Sequence, residues 1–409
     1  MVRPQQNTSP VPSSAASGRF RPDIEGLRGV AVLLVVVFHA WPGLLGGGFI
    51  GVDVFFVISG FLITGLLYRE LGSTGHIDFR TFYARRIRRL LPAAALALLV
   101  TFLLSAWLLS PLVLPRVTGD GVAAALSVAN IRFALASGDY FAAVATPSPF
   151  LHYWSLSVEE QFYLVWPATL LLIARLGGRR LLGPAVLTIA VLSLSLALVG
   201  TEFAAGWAFY SLPTRAWQLA VGGLLAIMAL ERFRRGGVSA LLGLVGWVGL
   251  AGVLLAGVIF DDLLAYPGWW ALLPTLGAVL VISGGDRRGG PGLLLGLAPI
   301  RFLGRISYAL YLWHWPLLIL PVAAWGEQLP GWARLALVGL AVVIATASTL
   351  LLEEPIRRGT TRFSGHALRA AAPPLAGLAL AVVVGAGVSY MVAQRELDQL
   401  GGQVATAAE

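Results

Sequence analysis

Arg28 and His39 stand eleven positions apart in GLRGVAVLLVVVFHAW, residues 26–41, a run that is otherwise almost wholly apolar. Eleven residues of α-helix make about three turns, so the two side chains share one face, about 16 Å apart along the axis. Ionisable groups at membrane depth are costly and turn toward a protein interior or a water-filled path. Imidazole is the side chain whose ordinary pKa suits proton transfer near neutrality, which makes His39 a candidate general base or nucleophile. Arg28 keeps its charge and therefore suits orientation or charge binding. Asp23 and Glu25, just before it, are expected to hold it in an ion pair. The next apolar run, GGGFIGVDVFFVISGFLIT (46–64), carries Asp53, which is expected to pair with His39 across two helix ends. Gly60 and Ser59 in that run suit close helix packing, and Ser59 is also a substrate-binding candidate.

Three more stretches carry chemistry. FYARRIRRLLP (82–92) places four arginines within five residues. Such a cluster fixes topology, and planar guanidinium forks also clamp phosphates in bidentate fashion. FLHYWSLSVEEQFYLVWP (150–167) brings His152, Trp154, Ser155, Glu159, Glu160, Gln161 and Tyr163 to what the topology below makes an outer entrance. Two carboxylates beside a histidine supply acid–base chemistry or bind sugar hydroxyls. Successive helical residues diverge by about 100°, so Glu159 and Glu160 cannot both face one cleft. WAFYSLPTRAWQLAVG (207–222) adds Tyr210, Arg215, Trp217 and Gln218. Aromatic faces beside hydrogen-bonding groups suit carbohydrate, and they suit interfacial anchoring equally.

The elements that must position these residues follow from composition. Hydrophobic residues make up 57% of the 409-residue chain and charged residues 12%, and the mean hydropathy is +0.81. Apolar runs of membrane-spanning length fall at 27–44, 50–68, 91–112, 160–175, 181–200, 214–230, 237–259, 267–284, 305–323, 331–352 and 372–393. The expectation is an all-α, polytopic transmembrane bundle of about 11 helices, because lipid admits only helices and closed barrels, and barrels read as short alternating segments. All 29 basic residues are arginine, and only Arg116, Arg132, Arg215, Arg334 and Arg395 fall in loops or helix ends on the expected outer side. The positive-inside rule therefore puts the N-terminus in the cytoplasm and the C-terminus outside. The net charge of +9 reports this topology and implies no nucleic-acid partner.

With no cysteine, disulfides, thiol catalysis and thiolate metal sites are excluded, and no histidine pair has metal-ligand spacing, so no metal is expected. Residues 1–18 read as a disordered cytoplasmic tail without the apolar core of a signal peptide, 19–394 as the transmembrane domain, and 395–409 as a short external tail.

RPDIEGLRGVAVLLVVVFHA, GGFIGVDVFFVISGFLIT, FYARRIRRLLP, LHYWSLSVEEQFYLVWP, ISYALYLWHWPL and LLEEPIRR together resemble the membrane acyltransferase-3 family, and within it the OafA/YrhL-type branch of bacterial O-acetyltransferases. The six motifs occur in order from about residue 20 to 358. The resemblance implies a multi-pass protein of the bacterial cytoplasmic membrane that moves an acyl group, usually acetyl from cytoplasmic acetyl-CoA, to a glycan hydroxyl. The family's Arg–ten residues–His pattern falls on Arg28 and His39. Its Arg-x-x-Arg pattern falls on Arg86 and Arg89, which keep the usual offset to Pro92, while Arg85 and Arg88 also fit the bare spacing. Its acid before Phe-Tyr falls on Glu159, and its late histidine and acid on His314 and Glu353. Two departures stand out: Gln218 occupies a position where relatives often carry Glu, and the extracytoplasmic SGNH domain of many relatives is expected to be lacking.

The expected activity is O-acyl transfer from acetyl-CoA or another acyl-CoA to a glycan, glycolipid or glycosylated small molecule at the bilayer. His39 and Glu159 are its catalytic candidates. Arg86 and Arg89 would hold the donor. Arg28, Asp53, Ser59, His152, Trp154, Ser155, Tyr163, Arg215 and His314 would line the substrate path, and a separate extracytoplasmic protein is a candidate recipient of the acyl group. Alternatives are acylation of a small secondary metabolite, such as a macrolide sugar, and a glycolipid flippase without acyl transfer.

Overall fold

The computed structural model describes residues 20–138, 147–233, 241–261, 263–285, 287–326, 328–358 and 367–407. The segment 1–18, expected as a disordered tail, lies outside them. Each of the eleven expected apolar runs contains a helix, the start of the run 237–259 lying outside the described residues: α1 (Pro22–Ala40), α2 (Gly51–Thr74), α3 (Phe79–Leu108), α6 (Tyr153–Gly177), α7 (Leu182–Phe203), α9 (Leu212–Phe233), α10 (Leu241–Ile259), α11 (Leu272–Gly284), α12 (Ala298–Trp325), α13 (Gly331–Ser348) and α14 (Ala367–Ala407). Between them run the shorter α4 (Leu114–Ala125), α5 (Ala129–Ala136) and α8 (Ala205–Tyr210). The protein is an all-α polytopic membrane bundle, and α14 carries helix through Ala407 into the segment expected as a short tail.

Among the described residues, seven helices are long and apolar enough to cross a membrane by length and composition: α2, α3, α7, α10, α12, α13 with its continuation to Arg357, and the Leu375–Val392 part of α14. Helix α11 is apolar but short. The others, α1, α6 and α9, are interrupted by charge: Asp23, Glu25 and Arg28 on the first, Glu159 and Glu160 on the second, Arg215 on the third. Those three interrupted helices carry much of the site. Their cost in lipid is avoided because the charged side chains turn inward. Leu187, Val191, Leu192, Leu196 and Val199 of α7, by contrast, are exposed and form a lipid-facing stripe.

Two close crossings set the geometry. Helix α1 packs along α12, and α2 along α9. A Cβ on Gly304 would overlap the carbonyl oxygen of Glu25, and one on Gly60 would overlap that of Leu219. Backbone meets backbone at both points, as small residues allow in membrane bundles. Gly60 therefore has the packing role expected of it.

Helix α1 begins at Pro22, whose fixed φ suits the first turn, and Arg21 bonds Asp23 there at 2.5–2.8 Å. Arg301 at the start of α12 pairs with Glu25 at 2.9 Å. The expectation that Asp23 or Glu25 would hold Arg28 is thus overturned: both acids are taken by nearer arginines, and Arg28 Nη2 donates instead to Ser307 Oγ at 2.8 Å. Helix α13 runs on through a single π-turn, Thr349–Glu353, which carries Glu353 toward Arg28 and Arg89.

Candidate active site

The polar interior is divided. An outer cavity of about 370 Å³ is lined by His39, Asp53, His152, Trp154, Arg215 and Tyr266, with further aromatic walls from Phe49, Phe209, Tyr210 and Trp315. An inner, tighter cavity of about 80 Å³ is lined by Arg28, Ser59, Arg86, Arg89, Ser155, Glu159, Tyr163 and Ser307. Val52 and Tyr311 line both, so they form the wall between. A third small cavity, sharing Arg28, Arg89 and Tyr308 with the second, adds Arg305, Glu353, Glu354 and Arg357. The shared face of α1 is realised as two ends of one path: Arg28 belongs to the arginine cavity, and His39 to the aromatic one.

In the outer cavity, His39 does not meet Asp53. Its Nδ1 lies 2.9 Å from His314 Nε2, and the two rings meet edge to edge with centroids 5.2 Å apart. Asp53 instead forms a fully buried ion pair with Arg215, 3.1 Å apart, and accepts a hydrogen bond from Gln218. Burying a lone carboxylate is prohibitive, whereas a hydrogen-bonded pair offsets much of the cost, so the arginine on the packed neighbour α9 outcompetes a neutral imidazole. Four aromatic rings, those of Phe56, Trp154, Phe209 and Tyr266, surround the Arg215 guanidinium with centroids at 5.6–5.7 Å. Gln218, at the position where the resemblance implies Glu, is a neutral donor to Asp53. A Glu there would place a second carboxylate against the first.

His152 is explained by a proline. Pro316 in α12 has no N–H for the carbonyl of Leu312, and His152 Nε2 lies 3.2 Å from that oxygen, in position to donate to it. Helix α6 then runs from one cavity to the other. His152 and Trp154 line the outer one, while Ser155, Glu159 and Tyr163 line the inner one. This corrects the outer-entrance placement of Glu159: three residues beyond Leu156 it has passed the dividing wall and sits among the arginines. The Ser59 and Tyr163 hydroxyls both donate to Glu159 Oε1, and the Arg86 guanidinium lies 4.8 Å over the Tyr163 ring. Glu160 is not among the residues lining the arginine cavity, but it meets Glu159 in a further small cavity with Tyr153, Ser157 and Tyr308. The expectation that the two carboxylates could not face one cleft fails there; only Glu159 lines both cavities. Gln161 donates to Ser127 O and Asn130 Oδ1, both at 2.8 Å, and so ties α6 to the α4–α5 turn.

His314 is fully buried behind His39 and is not among the residues lining either large cavity, so its expected contact with substrate is not what the structure provides. The sequence reading passed over Ser307 and Tyr311. With His314 they repeat at i, i+4 and i+7, one face of α12, and that periodicity was the available signal. Tyr311 is held by Ser155, oxygen to oxygen 2.6 Å, and donates to His152 O at 3.1 Å. Tyr266, Arg305 and Arg357 carried no comparable signal.

Taken together, a helical membrane bundle with an arginine-rich cavity joined through one wall to an aromatic, histidine-bearing cavity defines a multi-pass membrane protein with an internal two-part site. A family model described as an acyltransferase domain matches residues 21–353, and the chain belongs to this acyltransferase-3 family. It is 33% identical over 362 residues to YrhL of Bacillus subtilis, covering 85% of this chain and 56% of that one. It is 31% identical over 354 residues to the peptidoglycan O-acetyltransferase OatA of Listeria monocytogenes, covering 84% and 56%. It is 30% identical over 352 residues to the O-acetyltransferase OatA of Staphylococcus aureus, covering 84% and 58%. The chain thus spans a little over half the length of these curated relatives. No solved structure matches it.

Proposed function

We propose that this protein is a membrane O-acyltransferase that takes an acyl group, most simply acetyl, from cytoplasmic acyl-CoA and delivers it to a hydroxyl of a cell-envelope glycan. One observation carries the reading: Arg28, Arg86 and Arg89 line a cavity that shares Val52 and Tyr311 with the cavity of His39. Arginines suit the phosphates of a nucleotide thioester, and an aromatic cavity with hydrogen-bonding groups suits a sugar. The name of the Listeria relative, a peptidoglycan O-acetyltransferase, supports the glycan acceptor.

In this reading the thioester enters from the arginine side and its acyl carbon reaches the wall at Tyr311. His39 Nε2 removes the proton from the acceptor hydroxyl as its oxygen attacks the thioester carbonyl. The C–O bond forms, the C–S bond breaks, and the proton passes from His39 to the departing thiolate. General-base assistance of this kind contributes about 10²–10⁴-fold. The recipient of the acyl group is either the glycan itself or a hydroxyl of a separate extracytoplasmic protein that passes it on.

The test is reconstitution in liposomes with acetyl-labelled acetyl-CoA and soluble peptidoglycan fragments. Label in base-labile ester linkage on the fragments is expected. Neither thioester cleavage nor labelled glycan, with the protein folded, would overturn the reading.

A further inference from the structure

The His39–His314 contact fixes more than distance. His314 Nδ1 lies 3.0 Å from the carbonyl oxygen of Leu310, one turn back on α12. A carbonyl oxygen only accepts, so Nδ1 of His314 carries the proton. A neutral imidazole has one N–H, which leaves His314 Nε2 as an acceptor. That nitrogen is 2.9 Å from His39 Nδ1, which must therefore be the donor. The remaining nitrogen of His39, Nε2 on the far edge of the ring, is left with its lone pair free, and His39 lines the aromatic cavity while His314 lies behind it.

We propose that His314 is a positioning residue: the relay from Leu310 O through His314 to His39 holds His39 in the Nδ1–H tautomer, with Nε2 presented as the proton acceptor. The logic is that of a histidine whose second nitrogen is oriented by a partner, here a second imidazole in place of a carboxylate. The third nearby ring does not belong to the relay. His152 has its own carbonyl, Leu312 O, and faces His314 edge-on with ring centroids 6.0 Å apart. The His39 and His314 rings are nearly coplanar, with 19° between planes, as an in-line N–H···N bond requires, and Trp315, at 4.5 Å centroid distance, packs against the His39 ring. His39 is thus restrained on two sides, and its rotation to exchange nitrogens would break the bond to His314.

The inference rests on the proposed acyl transfer for its meaning, but its first readout does not. The chain has five histidines, so protein labelled with ¹⁵N in the imidazole rings and reconstituted in lipid gives few resonances in solid-state NMR. His39, assigned by its loss in His39→Gln, is expected to show a protonated Nδ1 and an unprotonated Nε2. In His314→Leu no acceptor remains, and His39 is expected to gain Nε2–H population. In His314→Gln the side-chain amide oxygen can accept from His39 Nδ1, so the wild-type tautomer is expected to persist. Turnover should follow the tautomer: about 10- to 1,000-fold lost in His314→Leu, mostly restored in His314→Gln, with the acyl-CoA KM unchanged in both. Protonated Nε2 on wild-type His39 overturns the relay, and so does equal activity loss in both variants when both melt like wild type. If His314→Leu does not fold, the wild-type spectrum and the Gln variant decide. If the tautomer is as stated but no acyl transfer occurs, the relay stands and the proposed activity fails.

Discussion

Arg28 on α1 and Ser307 on α12 are joined by a 2.8 Å hydrogen bond across 279 residues of sequence, inside the arginine-lined cavity. The serine fixes where the guanidinium points. A hydrogen bond to a charged group contributes about 1.5–3 kcal/mol, so Ser307→Ala should let Arg28 wander and weaken donor binding by about tenfold or more. Initial rates against acyl-CoA concentration will show a raised KM with little change in kcat. An unchanged KM would leave Arg28 without a donor-side role.

His39→Ala should abolish transfer while the protein still inserts and purifies as a monodisperse species. The expected loss is at least the 10²–10⁴-fold of a missing general base. Substantial turnover by a well-folded variant would remove His39 from the mechanism.

Arg86 and Arg89 separate charge from shape. Replacing either with Lys keeps the positive charge that sets topology but discards the planar fork and, for Arg86, the stacking over Tyr163. Donor affinity should fall several-fold with membrane orientation unchanged, as read by labelled acyl-CoA binding and by protease accessibility of the loops.

Glu159 and Glu160 should behave unequally. Glu159 collects two hydroxyl donors in the arginine cavity, whereas Glu160 does not line that cavity. Glu159→Gln should lose most activity, and since its neighbours are Arg28 and Arg86, the loss should appear in the donor dependence. Glu160→Gln should keep most activity. The reverse ranking would contradict the arrangement of α6.

The Asp53–Arg215 pair should be a stability element whatever else it does. Removing one partner of a buried ion pair costs about 3–5 kcal/mol, because the other charge is left uncompensated. Asp53→Ala and Arg215→Met should each lower the melting temperature in detergent markedly, and the double variant should be more stable than the sum of the two losses implies. Additive losses would mean that the two side chains do not depend on each other.

The sequence by itself determined the elements and much of the site's composition. Apolar length set the eleven helical segments, and the arginine distribution implied their alternation across the membrane. The 3.6-residue period put Arg28 with His39 on one face, and gave only Glu159 of the adjacent acids to the arginine cavity, although the two share a smaller one. What it did not determine was the partner of each polar face. Three expectations failed for this reason: Asp53 with His39, Arg28 with Asp23 or Glu25, and Glu159 at the outer entrance. Periodicity says which residues of a helix look the same way, and nothing about which helix they look at. That was decided by backbone crossings such as Gly304 against Glu25 and Gly60 against Leu219. Those crossings bring His314 to His39 across 275 residues and lay α12 along α1 in the register that pairs Ser307 with Arg28. Buried charge then sorted itself by the strongest available partner, Arg215 for Asp53, because in the low-dielectric interior an unpaired carboxylate costs more than any local contact returns.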